Sequence, residues 1–242
     1  MKKILLLSIF MFSLTLIWAQ EESRNYRIPL IGEVAPSFTA ESTTGVLNFP
    51  EDFGRKWKIL LSHPQDFTAV CSSEILELAH LQEEFDKIDT RLAVLSTDPL
   101  DLHFQWKKAL EEVEFKGKSP VKIEFPLIDD ENLSVSKKYG MINYGSNSTR
   151  DVRGVYILDP DNTIQAIYFY PENVGRSTTE LLRAVTALQT AVKYSVRTPA
   201  DWQRGDDVFL PYMPDKSDSK AAGDAENVNA LTWFMLYRKL DQ

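Results

Sequence analysis

Four short apolar runs, separated by stretches with helical periodicity, constrain the fold of this chain more than any other feature. Trp57–Ser62 (WKILLS) and Arg91–Ser96 (RLAVLS) suit buried strands. Gly154–Leu158 (GVYIL) and Thr163–Tyr170 (TIQAIYFY) flank Asp159-Pro160-Asp161-Asn162, a turn sequence that predicts a hairpin. Between these runs, the segment Ser72–Ile88 places Ile75, Leu78, Leu81, Phe85 and Ile88 on one helical face, with Glu77, Glu83, Glu84 and Lys87 elsewhere. Leu100–Val113 is a second helical pattern, and Thr178–Val192 a third, opened by Ser177 or Thr178 as N-cap. Strand, helix, strand, helix, hairpin, helix predicts an α/β domain with a mixed central sheet flanked by helices.

With 242 residues, 43% hydrophobic, the chain can bury a full core, and its single Cys excludes a disulfide scaffold. There is no fixed-period self-similarity, so solenoids and propellers are excluded. Met1-Lys2-Lys3, the apolar run Ile4–Trp18 and Ala19-Gln20 predict a secretory signal peptide over residues 1–19. The alternative, an uncleaved anchor, needs a longer run, since a bilayer span takes about 20 residues. Without residues 1–19 the chain carries 25 basic and 35 acidic residues, a formal charge of −10, which argues against nucleic acid as a partner. The expected product is exported, periplasmic or secreted, with no membrane insertion after cleavage. Past Arg197-Thr198-Pro199 the composition changes. An irregular stretch with Trp202, Pro211 and Pro214 leads to a polar run, Asp215–Asn227, and an aromatic tail, Leu231–Leu240. Residues 28–190 are therefore read as the main domain and 191–242 as a C-terminal appendage, since roughly 50 residues hardly support a core of their own.

In an oxidising compartment a lone thiol has to be protected by its chemistry or its burial. Cys71 follows Pro64-Gln65-Asp66-Phe67-Thr68-Ala69-Val70 and directly precedes the Ser72–Ile88 helix. That places it at the positive end of the helix, where free N–H groups and the dipole favour the thiolate, the nucleophilic form. Thr68, three residues back, can bring a hydroxyl to the sulfur or to whatever the sulfur attacks, and Pro64 rigidifies and shields the loop. Position alone leaves other readings open. Cys71 could be a small apolar residue at a helix start, Arg153 and Arg176 solvated charges, and His63 a structural histidine at a strand end. His80 and His103 are expected in the core or on the surface. Three scattered histidines and one cysteine lack metal-ligand spacing, so no metal or other cofactor is expected.

The stretch His63-Pro64-Gln65-Asp66-Phe67-Thr68-Ala69-Val70-Cys71-Ser72-Ser73-Glu74 closely resembles the peroxidatic-cysteine loop of the peroxiredoxins, P-x-x-x-T-x-x-C, in its one-cysteine, peroxiredoxin-6 form. The resemblance extends from about residue 28 to 214. It takes in Ala35-Pro36-Ser37-Phe38, Ser96-Thr97-Asp98 with His103 and Trp106, Phe125-Pro126-Leu127-Ile128-Asp129-Asp130, Arg153, Gly175-Arg176 and Thr198-Pro199-Ala200-Asp201-Trp202, all in family order. It implies a thioredoxin-like fold with a small C-terminal appendage.

It also implies a thiol-dependent peroxidase acting in antioxidant defence. Cys71 would attack a hydroperoxide and become a sulfenic acid, with Thr68 and Arg153 binding and polarising the peroxide and Pro64 excluding water. Arg176 matches a second family arginine, Glu74 is expected to fix one of the two arginines, and His63 to line the pocket. The implied partners are a hydroperoxide substrate, an external thiol or thioredoxin-like reductant, and a second copy in a homodimer or larger homo-oligomer. Ala69 stands where the family often has Pro, and Ser72-Ser73 where it has a Thr pair. Gly54-Arg55-Lys56-Trp57-Lys58 lacks the serine of the family's lipase-like motif, so that second activity is not expected. The competing class is a non-catalytic thioredoxin-fold holdase or scaffold.

Overall fold

A computed structural model describes residues 28–142, 148–211, 215–217 and 227–240. The predicted signal peptide, residues 1–19, lies outside the described residues, as does most of the polar run 215–227. The strands are β1 (Phe38–Ala40), β2 (Leu47–Phe49), β3 (Trp57–Ser62), β4 (Thr90–Ser96), β5 (Leu127–Asp129), β6 (Arg153–Leu158), β7 (Ile164–Tyr170), β8 (Val208–Phe209), β9 (Asn229–Thr232) and β10 (Met235–Arg238). The helices are α1 (Ala69–Lys87), α2 (Leu100–Leu110), α3 (Ser134–Lys138) and α4 (Thr178–Tyr194).

The central sheet runs β5-β4-β3-β6-β7. β3, β4 and β5 are parallel and β6 is antiparallel to both neighbours, so the sheet is mixed, as the strand–helix alternation predicts. Every residue of β3 and β6 is buried, which explains why these strands read as continuous apolar runs rather than alternating ones. Alternation reappears in which layer each side chain joins. Ile59, Leu61, Val94, Val155 and Ile157 face Ile75, Leu78 and Phe85 of α1, Trp106 of α2 and Leu181 and Val185 of α4. Leu60, Leu95, Tyr156 and Leu158 point the other way, onto Phe38, Phe49, Val135 and Tyr139 from the β1–β2 ribbon and the α3 segment. The β6–β7 turn closes as the sequence predicts: the Asp159 carboxylate accepts the N–H groups of Asp161 and Thr163, and Asn162 takes a left-handed φ of 65°. Ser177 is the N-cap of α4, its hydroxyl accepting the Glu180 N–H at 3.2 Å.

Several boundaries differ from the sequence expectation. α1 begins at Ala69 rather than Ser72, α2 ends at Leu110 rather than Val113, and α4 continues to Tyr194. The stretch after residue 196 is less irregular than its composition suggests, because β8 pairs with β10 and β10 with β9. It is anchored to the main body by a small cluster in which Val196, Trp202, Val208 and Leu240 meet Ala187 of α4. No helix among the described residues is long and apolar enough to cross a membrane.

The fully buried Leu61 lies in the layer between the sheet and α1. Leu61→Ala should lower unfolding stability by about 2–5 kcal/mol, read from urea denaturation. A loss well under 1 kcal/mol would show that this layer does not hold the domain together.

Candidate active site

β3 ends at Ser62, and the next six residues turn the chain from the sheet into α1. The turn is tight: Phe67, half exposed, takes a left-handed φ of 53°, a conformation that crowds Cβ and costs roughly 1–2 kcal/mol. Two contacts hold it. The Asp66 N–H donates to Asp98 Oδ2 at 2.7 Å, and the Thr68 hydroxyl donates to the Gln65 carbonyl at 2.8 Å. Thr68 stands at the N-cap in extended conformation with no side-chain cap, and the first intrahelical bond is the Ser72 N–H to the Thr68 carbonyl. Cys71 is therefore the third residue inside the helix rather than the residue before it, and its N–H precedes the ladder. The helix-terminus argument survives this correction, because the field is strongest over the first turn.

The sulfur has no solvent exposure. Arg153, the first residue of β6 and only 2% exposed, reaches it with Nη1 3.3 Å from Cys71 Sγ. The same Nη1 donates to Glu74 Oε2 at 2.8 Å, and Nε and Nη2 donate to the Glu172 carbonyl. Glu74, one turn after Cys71, is buried and grips Arg176 as well. Arg176 donates its backbone N–H and Nε to Oε1 and its Nη2 to Oε2, while its Nη1 donates to the Gly154 carbonyl. Sequence reasoning assigned Glu74 to one arginine, but the carboxylate holds both. Burial pushes the Glu74 carboxyl up, and the Arg176 and Arg153 guanidiniums overcome this and hold it below the usual carboxylate range.

Of the other predicted residues, Pro64 is buried in the loop and His63, at the end of β3, is 1% exposed. The Thr68 hydroxyl faces the Gln65 carbonyl rather than the sulfur as its donor partner. Sequence reasoning left several contributors without a role. The Ser62 hydroxyl accepts the Gly154 N–H and donates to the Val152 carbonyl, fixing the start of β6 that carries Arg153. A Cβ at Gly154 would lie 3.0 Å from Ser62 Oγ and 3.1 Å from Met141 Cγ, so this strand passes too close for a side chain. The Trp106 indole donates to the Ser72 hydroxyl at 3.2 Å. Asp66 and Asp98 belong to motifs visible in the sequence, H-P-x-D and S-x-D, but neither motif says what its carboxylate holds. Among the described residues, one group offers metal ligands within 4.8 Å of one another: His63, Asp66 and Asp98. Within this group His63 Nε2 is hydrogen-bonded to Asp66 Oδ1 and Asp98 Oδ2 accepts the Asp66 N–H.

A dry cysteine at a helix N-terminus, touched by a guanidinium and set on a thioredoxin-like core, defines a thiol-based oxidoreductase. The comparisons narrow this. Residues 31–167 match the AhpC/TSA family and residues 187–223 the C-terminal domain of 1-Cys peroxiredoxin. A peroxiredoxin from Methanosarcina mazei is 43% identical over 216 residues, covering 88% of this chain and 98% of that protein. Among solved structures, a yeast mitochondrial 1-Cys peroxiredoxin has a TM-score of 0.77 at 34% identity, covering 88% of this chain and all of that one. A mutant of Arenicola marina peroxiredoxin 6 has a TM-score of 0.77 at 31% identity, covering 87% and 97%. The chain belongs to the peroxiredoxin family and is a thiol-dependent peroxidase.

The buried Glu74–arginine pairs also make a stability prediction. A carboxylate whose folded pKa is depressed contributes stability above its ordinary value near 4.5, and loses it as pH falls through the lower folded value. Glu74→Gln should therefore destabilise the protein by about 3–5 kcal/mol at pH 7, leaving two buried guanidiniums short of an anion. The gap from wild type should narrow below pH 4.5 in chemical denaturation. A gap independent of pH would show that Glu74 is not ionised in the fold.

Proposed function

We propose that Cys71 is the peroxidatic nucleophile and that Arg153 is the group that makes its reaction fast. The observation carrying this reading is the 3.3 Å contact between Arg153 Nη1 and the buried sulfur. The Cys71 thiolate attacks one oxygen of the hydroperoxide; the S–O bond forms as the O–O bond breaks, and the departing oxygen leaves as water or alcohol after taking a proton. The permanent charge of Arg153 stabilises the thiolate and the negative charge moving onto the leaving oxygen, and a site without water makes that interaction stronger than in solution. With its proton directed at the Gln65 carbonyl, the Thr68 oxygen offers lone pairs to the O–H of the incoming peroxide. Pro64 keeps water from the loop, His63 supports it, and Arg176 with Glu74 fixes the angle of Arg153.

Cys71 is the only cysteine in the chain, so the sulfenic acid is reduced by a thiol from another molecule. That thiol displaces water to give a mixed disulfide, and a second thiol releases Cys71. A small thiol or a thioredoxin-like protein fits this role. The yeast mitochondrial relative resolves its thiol via glutathione/thioredoxin systems. Because the sulfur is fully buried, a reactant reaches it only when the 64–70 turn or the first turn of α1 moves, and a reductant larger than a peroxide needs the larger movement. A homodimer is supported by β7, a sheet edge with Phe169 exposed, which leaves backbone groups and an aromatic ring for a second copy. The basic start and apolar run of residues 1–19 support export.

Peroxide alone should oxidise one thiol per chain and stop, with dithiothreitol restoring turnover. Cys71→Ser should consume none, and Arg153→Ala should slow the peroxide step by about 10²-fold or more in stopped-flow measurements, with an unchanged circular dichroism spectrum. Sustained turnover without a thiol, or wild-type kinetics in Arg153→Ala, would contradict this assignment.

A further inference from the structure

A second buried polar assembly occupies the loop that carries the thiol, and the reaction as derived above makes no use of it. Asp66, only 2% exposed, meets a histidine at each carboxylate oxygen. His63 Nε2 lies 2.8 Å from Oδ1, and Nδ1 of His103, on α2, lies 2.7 Å from Oδ2. The other nitrogen of His103, Nε2, is 3.0 Å from the Ile128 carbonyl of β5. His63 Nδ1 is buried and has no hydrogen-bond partner. The His63 ring packs 5.0 Å from that of Trp106, whose indole N–H binds Ser72, the neighbour of Cys71.

Counting protons fixes the His63 tautomer. A carbonyl oxygen only accepts, so His103 Nε2 carries a proton. Each histidine–carboxylate contact needs one more, and a single carboxyl group cannot provide both. Two arrangements carry no net charge, and both leave His63 protonated on Nε2 alone: an ionised Asp66 beside a doubly protonated His103, or a neutral Asp66 carboxyl donating to a singly protonated His103. The two histidine contacts, which hold the Asp66 carboxyl down against its burial, favour the first. A further proton on His63 Nδ1 would bury an N–H with no acceptor, which is costlier than a bare lone pair. The titration tendencies agree. Burial pushes His63 down; it acts on His103 in the same direction, but there Asp66, the Ile128 carbonyl and Asp98 together outweigh it and push the imidazole up. The charged groups acting on the two rings are Asp66 and, after β4, Asp98, whose Oδ2 also accepts the Asp66 N–H and the Ser96 hydroxyl.

The geometry points to Asp66 and His103 as a positioning pair for the peroxide reaction: a buried carboxylate–imidazolium contact that fixes His63 as its Nε2–H tautomer with Nδ1 bare. The inference rests on the peroxidase reading above. On this assignment the bare, buried Nδ1 of His63 is the acceptor kept for a hydroperoxide O–H, a role that the opposite tautomer, with a donor at that nitrogen, could not fill. The pair also sets the turn. Asp66 precedes the strained Phe67, so α2 and β5, through His103, hold the backbone that presents Thr68 and Cys71. Neither residue touches the sulfur or the reacting oxygens; both act through His63 and the loop.

Nitrogen-15 NMR of the reduced full-length protein at pH 7 reads the tautomers directly. The expected spectrum has both His103 nitrogens protonated and His63 protonated on Nε2 only. A singly protonated His103, or a His63 carrying its proton on Nδ1, would overturn the proposal. Asp66→Asn and His103→Gln should each slow oxidation of Cys71 by hydrogen peroxide roughly 10- to 100-fold while circular dichroism stays unchanged, the scale expected of a displaced reacting group. Wild-type rates in both variants would overturn it too. If either variant fails to fold, the wild-type spectrum still decides. Failure of the peroxidase reading would look different, because wild-type Cys71 would then not be oxidised by peroxide whatever the tautomers.

Discussion

The Glu74 carboxylate, one helical turn past the thiol and almost wholly out of water, is the constraint on which the site depends. A single buried carboxylate with two guanidiniums is acceptable in a protein interior only if every donor finds an acceptor. Here the remaining donors of Arg153 go to the Glu172 carbonyl and Arg176 donates to the Gly154 carbonyl. Three separated segments are thereby locked together: the second turn of α1, the start of β6 and the loop before α4. Since Arg153 is pinned by Glu74 and by residue 172, its Nη1 stays at the sulfur in the absence of substrate. Nothing has to reorganise when charge shifts during the reaction, which is the condition for strong electrostatic stabilisation.

The same packing shields the lone cysteine. Cys71 belongs to the main apolar cluster and has no exposed surface, so any reactant needs some movement of the loop or the helix end to touch the sulfur, a small one for a peroxide of a few atoms and a larger one for a protein thiol. The turn leading into α1 stores the left-handed Phe67, which lowers the cost of leaving this conformation. Access for a peroxide and access for a bulky reductant thus differ in how far the loop has to move.

How much was legible in the sequence follows from what kind of pattern each part leaves. β3, β4, β6 and β7 are readable as local apolar runs and the long helices by their periodicity, and the Asp159–Asn162 turn is readable because the Asp159 side chain bonds its own backbone. β1, β2, β5 and the β8–β10 sheet were not, since strands of two to four residues have too few positions to show a period and form by pairing with distant segments. The start of α1 was placed three residues late because Ala69 and Val70 carry no cap signal and the apolar stripe is clear only farther on. In the site, Cys71, Arg153, Arg176 and Glu74 were named from motif order, yet that Glu74 bridges both arginines depends on side chains 79 and 102 positions apart. Asp66 and His103 stand in the sequence as motif residues, but a separation of 37 residues hides a contact that only the packing of α2 on the loop creates.

The central claim is that Cys71, held against Arg153, is converted by peroxide to a sulfenic acid. Its most direct test is capture of that species with a sulfenic-acid-selective carbon nucleophile after one equivalent of hydrogen peroxide, with the adduct located by mass spectrometry of the digested chain. The account predicts one adduct per chain, on Cys71. An intact Cys71 thiol after the peroxide has been consumed would contradict it.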